Sequence, residues 1–147
     1  MQIIYKNNQM ISQELDNNEE IEVLYNECYG SWKISDKAKE LYIFRKSNNE
    51  LIENNIYLSK RNDPNIIQIY YELGEEFNGK NCRTNIRKIS KKYENYYYID
   101  QYDGFESVEI DYIKYELDNL KKNIKEILED NSINNYKKIN QIKKIII

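Results

Sequence analysis

A chain of 147 residues is expected to form one domain, and a domain of this size buries roughly 70% of its unfolded surface, enough for a real core. The formal net charge is −3, but residues 131–147 hold four lysines and no acid, so the other 130 residues, with 18 basic and 25 acidic side chains, carry −7. An acidic body disfavours nucleic-acid binding, the lack of any histidine excludes Ser-His-Asp and Cys-His relays, and two cysteines alone cannot close a zinc site.

Asn, Ile, Lys and Tyr supply more than half of the chain. Their codons are AT-rich, so isolated Asn and Lys residues carry little weight as site candidates. The opening Met1-Gln2-Ile3-Ile4-Tyr5 turns polar too soon for a signal peptide. No run approaches the 18 apolar residues of a membrane span. The expectation is a reduced intracellular protein, not secreted and not membrane-bound, with Cys28 and Cys82 as free thiols.

In chain order, residues 2–5 and 20–25 read as strands, the second alternating Ile21, Val23 and Tyr25. The polar stretch from Gln9 to Asn18 carries no clear period. A loop, Asn26 to Trp32, leads to a helix capped by Ser35, with Asp36 in its first turn and Ala38, Leu41 and Tyr42 on its apolar side. Ser47 to Asn55 is a polar connector and Ile56–Lys60 a short strand. Asp63-Pro64 starts the second helix, with Pro64 at the first helical position where its missing N–H costs nothing. Ile66, Tyr70, Leu73 and Phe77 form its stripe, and Gly74 within it implies close packing. Residues 85–90 read as a further strand.

Tyr97 to Ile110 then reads as a β-hairpin with Asp103-Gly104 as its two-residue turn. That register sets Tyr102 opposite Phe105, Gln101 opposite Glu106, Ile99 opposite Val108 and Tyr97 opposite Ile110. One face carries Tyr97, Ile99, Val108 and Ile110 with Glu106 near the turn. The other carries Tyr98, Asp100, Tyr102, Phe105, Ser107 and Glu109. A half-buried Glu106 needs a partner, and Arg61 is a candidate, as is the N-terminus of a helix.

The third helix spans about 112–130, with Ile113, Leu117, Leu120, Ile124 and Ile127 spaced 4, 3, 4, 3. Packing across the sheet is the expected use of this seam, and homo-oligomerisation through it the alternative. Residues 131–147 read as a basic, apolar C-terminal tail, either a frayed helical extension or an adhesive segment, beyond a single α+β domain at 1–130. The fold class is α+β: a mixed or mostly antiparallel sheet with about three helices, ending in a β-meander followed by an amphipathic helix.

Three motifs, in order, resemble a family of small uncharacterised proteins of giant DNA viruses of the mimivirus type and of phages. They are Cys28-Tyr29-Gly30-Ser31-Trp32, Arg61-Asn62-Asp63-Pro64, and Tyr98 to Glu106 around Tyr102-Asp103-Gly104. The family pattern has Cys-Tyr-Gly-Gly-Phe, Arg-x-Asp-Pro and Tyr-Asp-Gly-x-Glu. Ser31 and Trp32 depart from the first motif, and the family's basic and aromatic stretch after the third is missing.

The resemblance implies a viral source and a place in the infected host cytoplasm or virion, and no mechanism. The expected function is that of a viral accessory protein, a non-enzymatic binding module for a host or viral protein. Its candidate binding residues are Arg61, Asp63, Tyr98, Tyr102, Asp103, Phe105, Glu106 and Trp32. The alternative is a small-ligand binder, such as a sponge for a nucleotide signal, with aromatic stacking beside Arg61; a hydrolase using carboxylates alone stands third. No catalytic residue, metal or cofactor is assigned.

Overall fold

The computed structural model describes residues 19–46 and 61–146 in full, together with the backbone of 4–6 and 9–11. Ile4–Lys6 (β1) and Gln9–Ile11 (β2) form a short antiparallel ladder. The strand expected over Ile56–Lys60 and the connector before it lie outside the described residues.

At the centre, Glu20–Asn26 (β3) pairs antiparallel with Thr84–Ser90 (β4), from Glu20 opposite Ser90 to Asn26 opposite Thr84. Side chains alternate faces along a strand, and here both faces are apolar. Leu24 and Ile86, opposite one another, join a cluster with Trp32, Ile34, Ile66, Ile69 and Phe77. Ile21, Val23 and Ile89 point the other way and join Ile99, Val108 and Ile110. Helices Asp36–Lys46 (α1) and Pro64–Leu73 (α2) cover the first face. The hairpin Tyr97–Tyr102 (β5) and Phe105–Ile110 (β6) covers the second. The result is an α+β arrangement of helices, ladder and hairpin in three layers.

The hairpin has the register expected from its turn, Tyr102 opposite Phe105 and Tyr97 opposite Ile110. The meander is corrected. β4 pairs with β3 and not with β5, because the 3-10 turn Lys91–Tyr93 and the turn after it carry the chain to the other side of the ladder. The described strands therefore form three separate antiparallel pairs, not one sheet.

Asp63 caps α2 by accepting from the Asn65 N–H at 2.9 Å, with Pro64 in the first turn. Gly74 does not sit inside the helix. It caps the C-terminus at φ 52°, donates its N–H to the Tyr70 carbonyl, and opens a 3-10 turn to Phe77. A Cβ there would meet nothing within 4 Å, so backbone conformation and not close packing calls for glycine.

Two further corrections concern the C-terminal third. The described residues contain four α-helices and not three, since Asn135–Ile146 (α4) follows Tyr112–Glu129 (α3). The α3 seam does not pack across the sheet: α3 has no buried residue and lies against α4. Its first two turns meet the body, through edge-to-face contacts of Tyr112 and Tyr115 with Tyr93 and of Tyr115 with Tyr96, and through a hydrogen bond between the Tyr96 and Asp118 side chains. The tyrosines of the 93–96 turn occupy the place where helix-to-sheet packing would begin.

Asp63 also joins α2 to α1. The Tyr42 hydroxyl donates to its Oδ2 at 2.9 Å, and Lys46 Nζ lies 3.0 Å from the same oxygen. Burial alone would raise the Asp63 pKa, but Lys46, the Asn65 N–H and Tyr42 outweigh it and hold the carboxyl below its ordinary value. A carboxyl with a depressed folded-state pKa contributes stability above its unfolded pKa of about 3.9 and loses it as pH falls through the folded value. Asp63→Asn keeps a good cap. It should cost about 1–2 kcal/mol at pH 7 and less at pH 3, below the unfolded pKa, measured by urea unfolding across pH. An equal cost at both pH values would contradict the linkage.

Candidate functional site

The Asp103-Gly104 turn needs two residues at positive φ, and they adopt 49° and 85°. It is not a free loop tip. Gly30 N–H donates to the Asp103 carbonyl at 3.3 Å. A Cβ on Gly104 would stand 2.2 Å from the Gly30 nitrogen, so the two backbones touch where no side chain fits.

Asn26, the last residue of β3, is fully buried and ties this contact together. Its Nδ2 donates to the carbonyls of Cys28, Gly30 and Gly104 at 2.8, 2.7 and 2.9 Å. Its Oδ1 accepts from the Arg83 N–H at 3.1 Å and from Cys82 Sγ at 3.2 Å. One side chain thus satisfies polar backbone from three loops that would otherwise be buried without partners.

The Asn26 backbone N–H points away from β4 and donates to Glu106 Oε2 at 2.9 Å. Glu106, 4% exposed, accepts at its other oxygen from Arg61 Nη2, also at 2.9 Å. The ion pair expected from the sequence is therefore present. Arg61 is held at the open edge of β3 through its carbonyl, which accepts from the Leu24 N–H at 2.9 Å. Its guanidinium carbon lies 3.7 Å from the centre of the Trp32 ring, a cation–π contact, while Nη1 is buried without a hydrogen-bond partner. Trp32 belongs to the helix-side core and donates its indole N–H to Thr84 Oγ1 at 3.2 Å.

The structure therefore brings Arg61, Glu106, Trp32 and the Asp103 backbone together and separates the rest. Asp63 is committed to the α2 cap, Tyr42 and Lys46. Tyr98, Tyr102 and Phe105 occupy the outer face of the hairpin, Tyr102 82% exposed. Tyr29, exposed beside the Gly30 contact, adds a fourth ring 6.1 Å from Phe105. The site has a dry inner side of charge and hydrogen bonds and an outer side of exposed aromatics.

Sequence reasoning missed Asn26 and the supporting residues Tyr29, Cys82 and Thr84. Asn26 ends an alternating strand two residues before Cys28-Tyr29-Gly30, the one local signal that set it apart from the other asparagines.

Two clefts lie elsewhere. One, of about 830 Å³, runs between β3 and α2 past Glu20, Glu22, Ile67 and Tyr71. The other, of about 360 Å³, is polar and includes Glu27, Glu75 and Arg83. Beside it the Tyr25 hydroxyl donates to Glu27 at 2.7 Å, and burial together with that carboxylate pushes Tyr25 up to about 12. Among the described residues no three cysteine or acidic side chains are grouped to hold a metal ion, and no helix is long and apolar enough to cross a membrane.

No known protein family, curated protein or solved structure matches the chain.

Removing one partner of a buried pair leaves the other charge uncompensated, at a cost of about 3–5 kcal/mol. Glu106→Gln and Arg61→Met should each cost this much in urea unfolding, and the double variant less than their sum. A loss below about 1 kcal/mol in either, the level of an exposed pair, would contradict the assignment. Gly104→Ala should destabilise by more than Gly74→Ala, since both have positive φ and only the first also meets backbone.

Proposed function

We propose that the protein is a non-enzymatic binding module whose contact surface is the outer face of the β5–β6 hairpin, and that it serves as an accessory protein of a giant virus or phage in the infected cell. The observation that carries the binding role is the exposure of Tyr29, Tyr98, Tyr102 and Phe105 on a turn whose backbone is pinned from beneath. Tyrosine is enriched at interface hot spots. Rings on an ordered platform lose little conformational freedom when they bind. Asp100 and Asp103 rim the same face, so the chemistry it fits is an apolar surface patch with basic side chains at its edge.

The viral assignment rests on the resemblance of the three motifs. The convergence of the motifs supports one shared site: Gly30, Arg61 and Glu106 come one from each and are linked through Asn26 and the Arg61–Glu106 pair. The small-ligand reading gains less. Arg61, its source of charge, is stacked on Trp32 and paired with Glu106, and neither described cleft borders it.

A benzophenone amino acid in place of Tyr102 should photo-cross-link one discrete protein in lysate of the expressing cells, and the same group at Asn131 should not. Excess wild-type chain should compete the adduct away, and excess Tyr29→Ser/Phe105→Ser chain should not. Equal labelling from both positions, or equal competition by both chains, would rule the surface out.

A further inference from the structure

We infer that the α3–α4 hairpin is the contact between two copies of this chain, through the N-terminal half of the α3 seam. This goes beyond the partner surface proposed above and does not depend on it. The two helices are joined by a short connection and lie against each other, with Lys138 Nζ donating to the Leu128 carbonyl at 2.6 Å. Neither contains a buried residue. Helices of 18 and 12 residues are marginal in water without a packed face, and two helices alone make no core.

Length decides which part of the seam stays open. α3 rises about 27 Å and α4 about 18 Å, so α4, running back from the connection, ends one to two turns short of the α3 N-terminus. Leu120, Ile124 and Ile127 are half-buried, whereas Leu117 is half-exposed and Ile113 is 76% exposed. The open stretch is thus the first heptad of a seam with coiled-coil spacing.

Charge beside the seam selects the occupant. With Ile113 and Leu120 at d positions and Leu117 at a, Glu116 falls at g and Lys121 at the following e. When two such helices run side by side in parallel, g of one copy faces the following e of the other. Glu116 then meets Lys121 of the second copy, and two-fold symmetry makes the pair twice. Lysines of α3 also pair within the helix, Lys121 with Asp118, Lys122 with Glu126 and Lys125 with Glu129, but these are exposed pairs weak enough for Glu116 of a second copy to compete for Lys121. An anionic lipid surface would suit the four lysines of α4 but leaves Glu116 unfavourably placed, while a second copy uses both signs. The face is smaller than the roughly 800 Å² per partner of a standard interface, which puts association at the weak, concentration-dependent end.

Sedimentation equilibrium of the full chain from about 5 to 500 µM in low salt tests this, the range following from a weak interface. The wild type should pass from monomer to dimer. Leu117→Glu, at a half-exposed position, should remain monomeric with an unchanged helical circular dichroism signal. Glu116→Lys turns two attractive pairs into two repulsive ones and should weaken the dimer about tenfold; Glu116→Lys/Lys121→Glu should restore it. A wild type monomeric throughout would overturn the inference, as would a Leu117→Glu dimer or a double reversal no tighter than the single one. So would a monomeric chain that floats with phosphatidylserine–phosphatidylcholine vesicles, which would assign the face to lipid.

Discussion

The buried carboxylate of Glu106 is the constraint on which the rest of the hairpin side depends. A carboxylate removed from water needs both oxygens satisfied, and here one takes a backbone N–H from the open edge of β3 while the other takes Arg61. Those two bonds come from chain segments 80 and 45 residues away. They settle where β6 lies on the ladder and, through it, where the Asp103-Gly104 turn meets Gly30. A buried ion pair contributes little net stability against an apolar substitute. Its consequence is positional, since an apolar contact could slide where these bonds cannot.

Asn26 extends the same logic. Its backbone serves Glu106 while its amide group collects three carbonyls, two in the 28–30 loop and one at the hairpin turn. The aromatic face outside is therefore carried on backbone with few degrees of freedom left. The C-terminal helices are built oppositely. They attach to the body at one end, through tyrosine ring contacts and hydrogen bonds to Tyr96, and contribute no buried residue. One part of the molecule presents a rigid polar-backed surface and the other an open apolar seam.

Features set by neighbouring residues were legible in the sequence. Asp103-Gly104 specified the turn, and with it the register and the facing of Glu106. Asp63-Pro64 marked the start of α2, and Ser35 that of α1, where its Oγ accepts from the Ala38 N–H. A carboxylate on an apolar strand face pointed to a cationic partner, and Arg61 fills that role. Features set by distant pairing were hidden. β4 alternates as well for a meander with β5 as for a ladder with β3, and only the two-sided burial of that ladder decides between them. Asn26 has the composition of twenty other asparagines and acquires its role from three loops at once. Gly74 inside an apolar stripe looks like a packing glycine until its φ is known. The α3 seam has the same spacing whether it meets a sheet, α4 or a second copy.

Native-state hydrogen exchange at the Asn26 amide tests the central claim most directly. An N–H donated to a buried carboxylate should exchange only with global unfolding, as slowly as the Val23 and Tyr25 amides within the β3–β4 ladder. Exchange at Asn26 several orders of magnitude faster than at those two, with the ladder itself intact, would show that Glu106 does not hold the hairpin to β3 and would contradict the account.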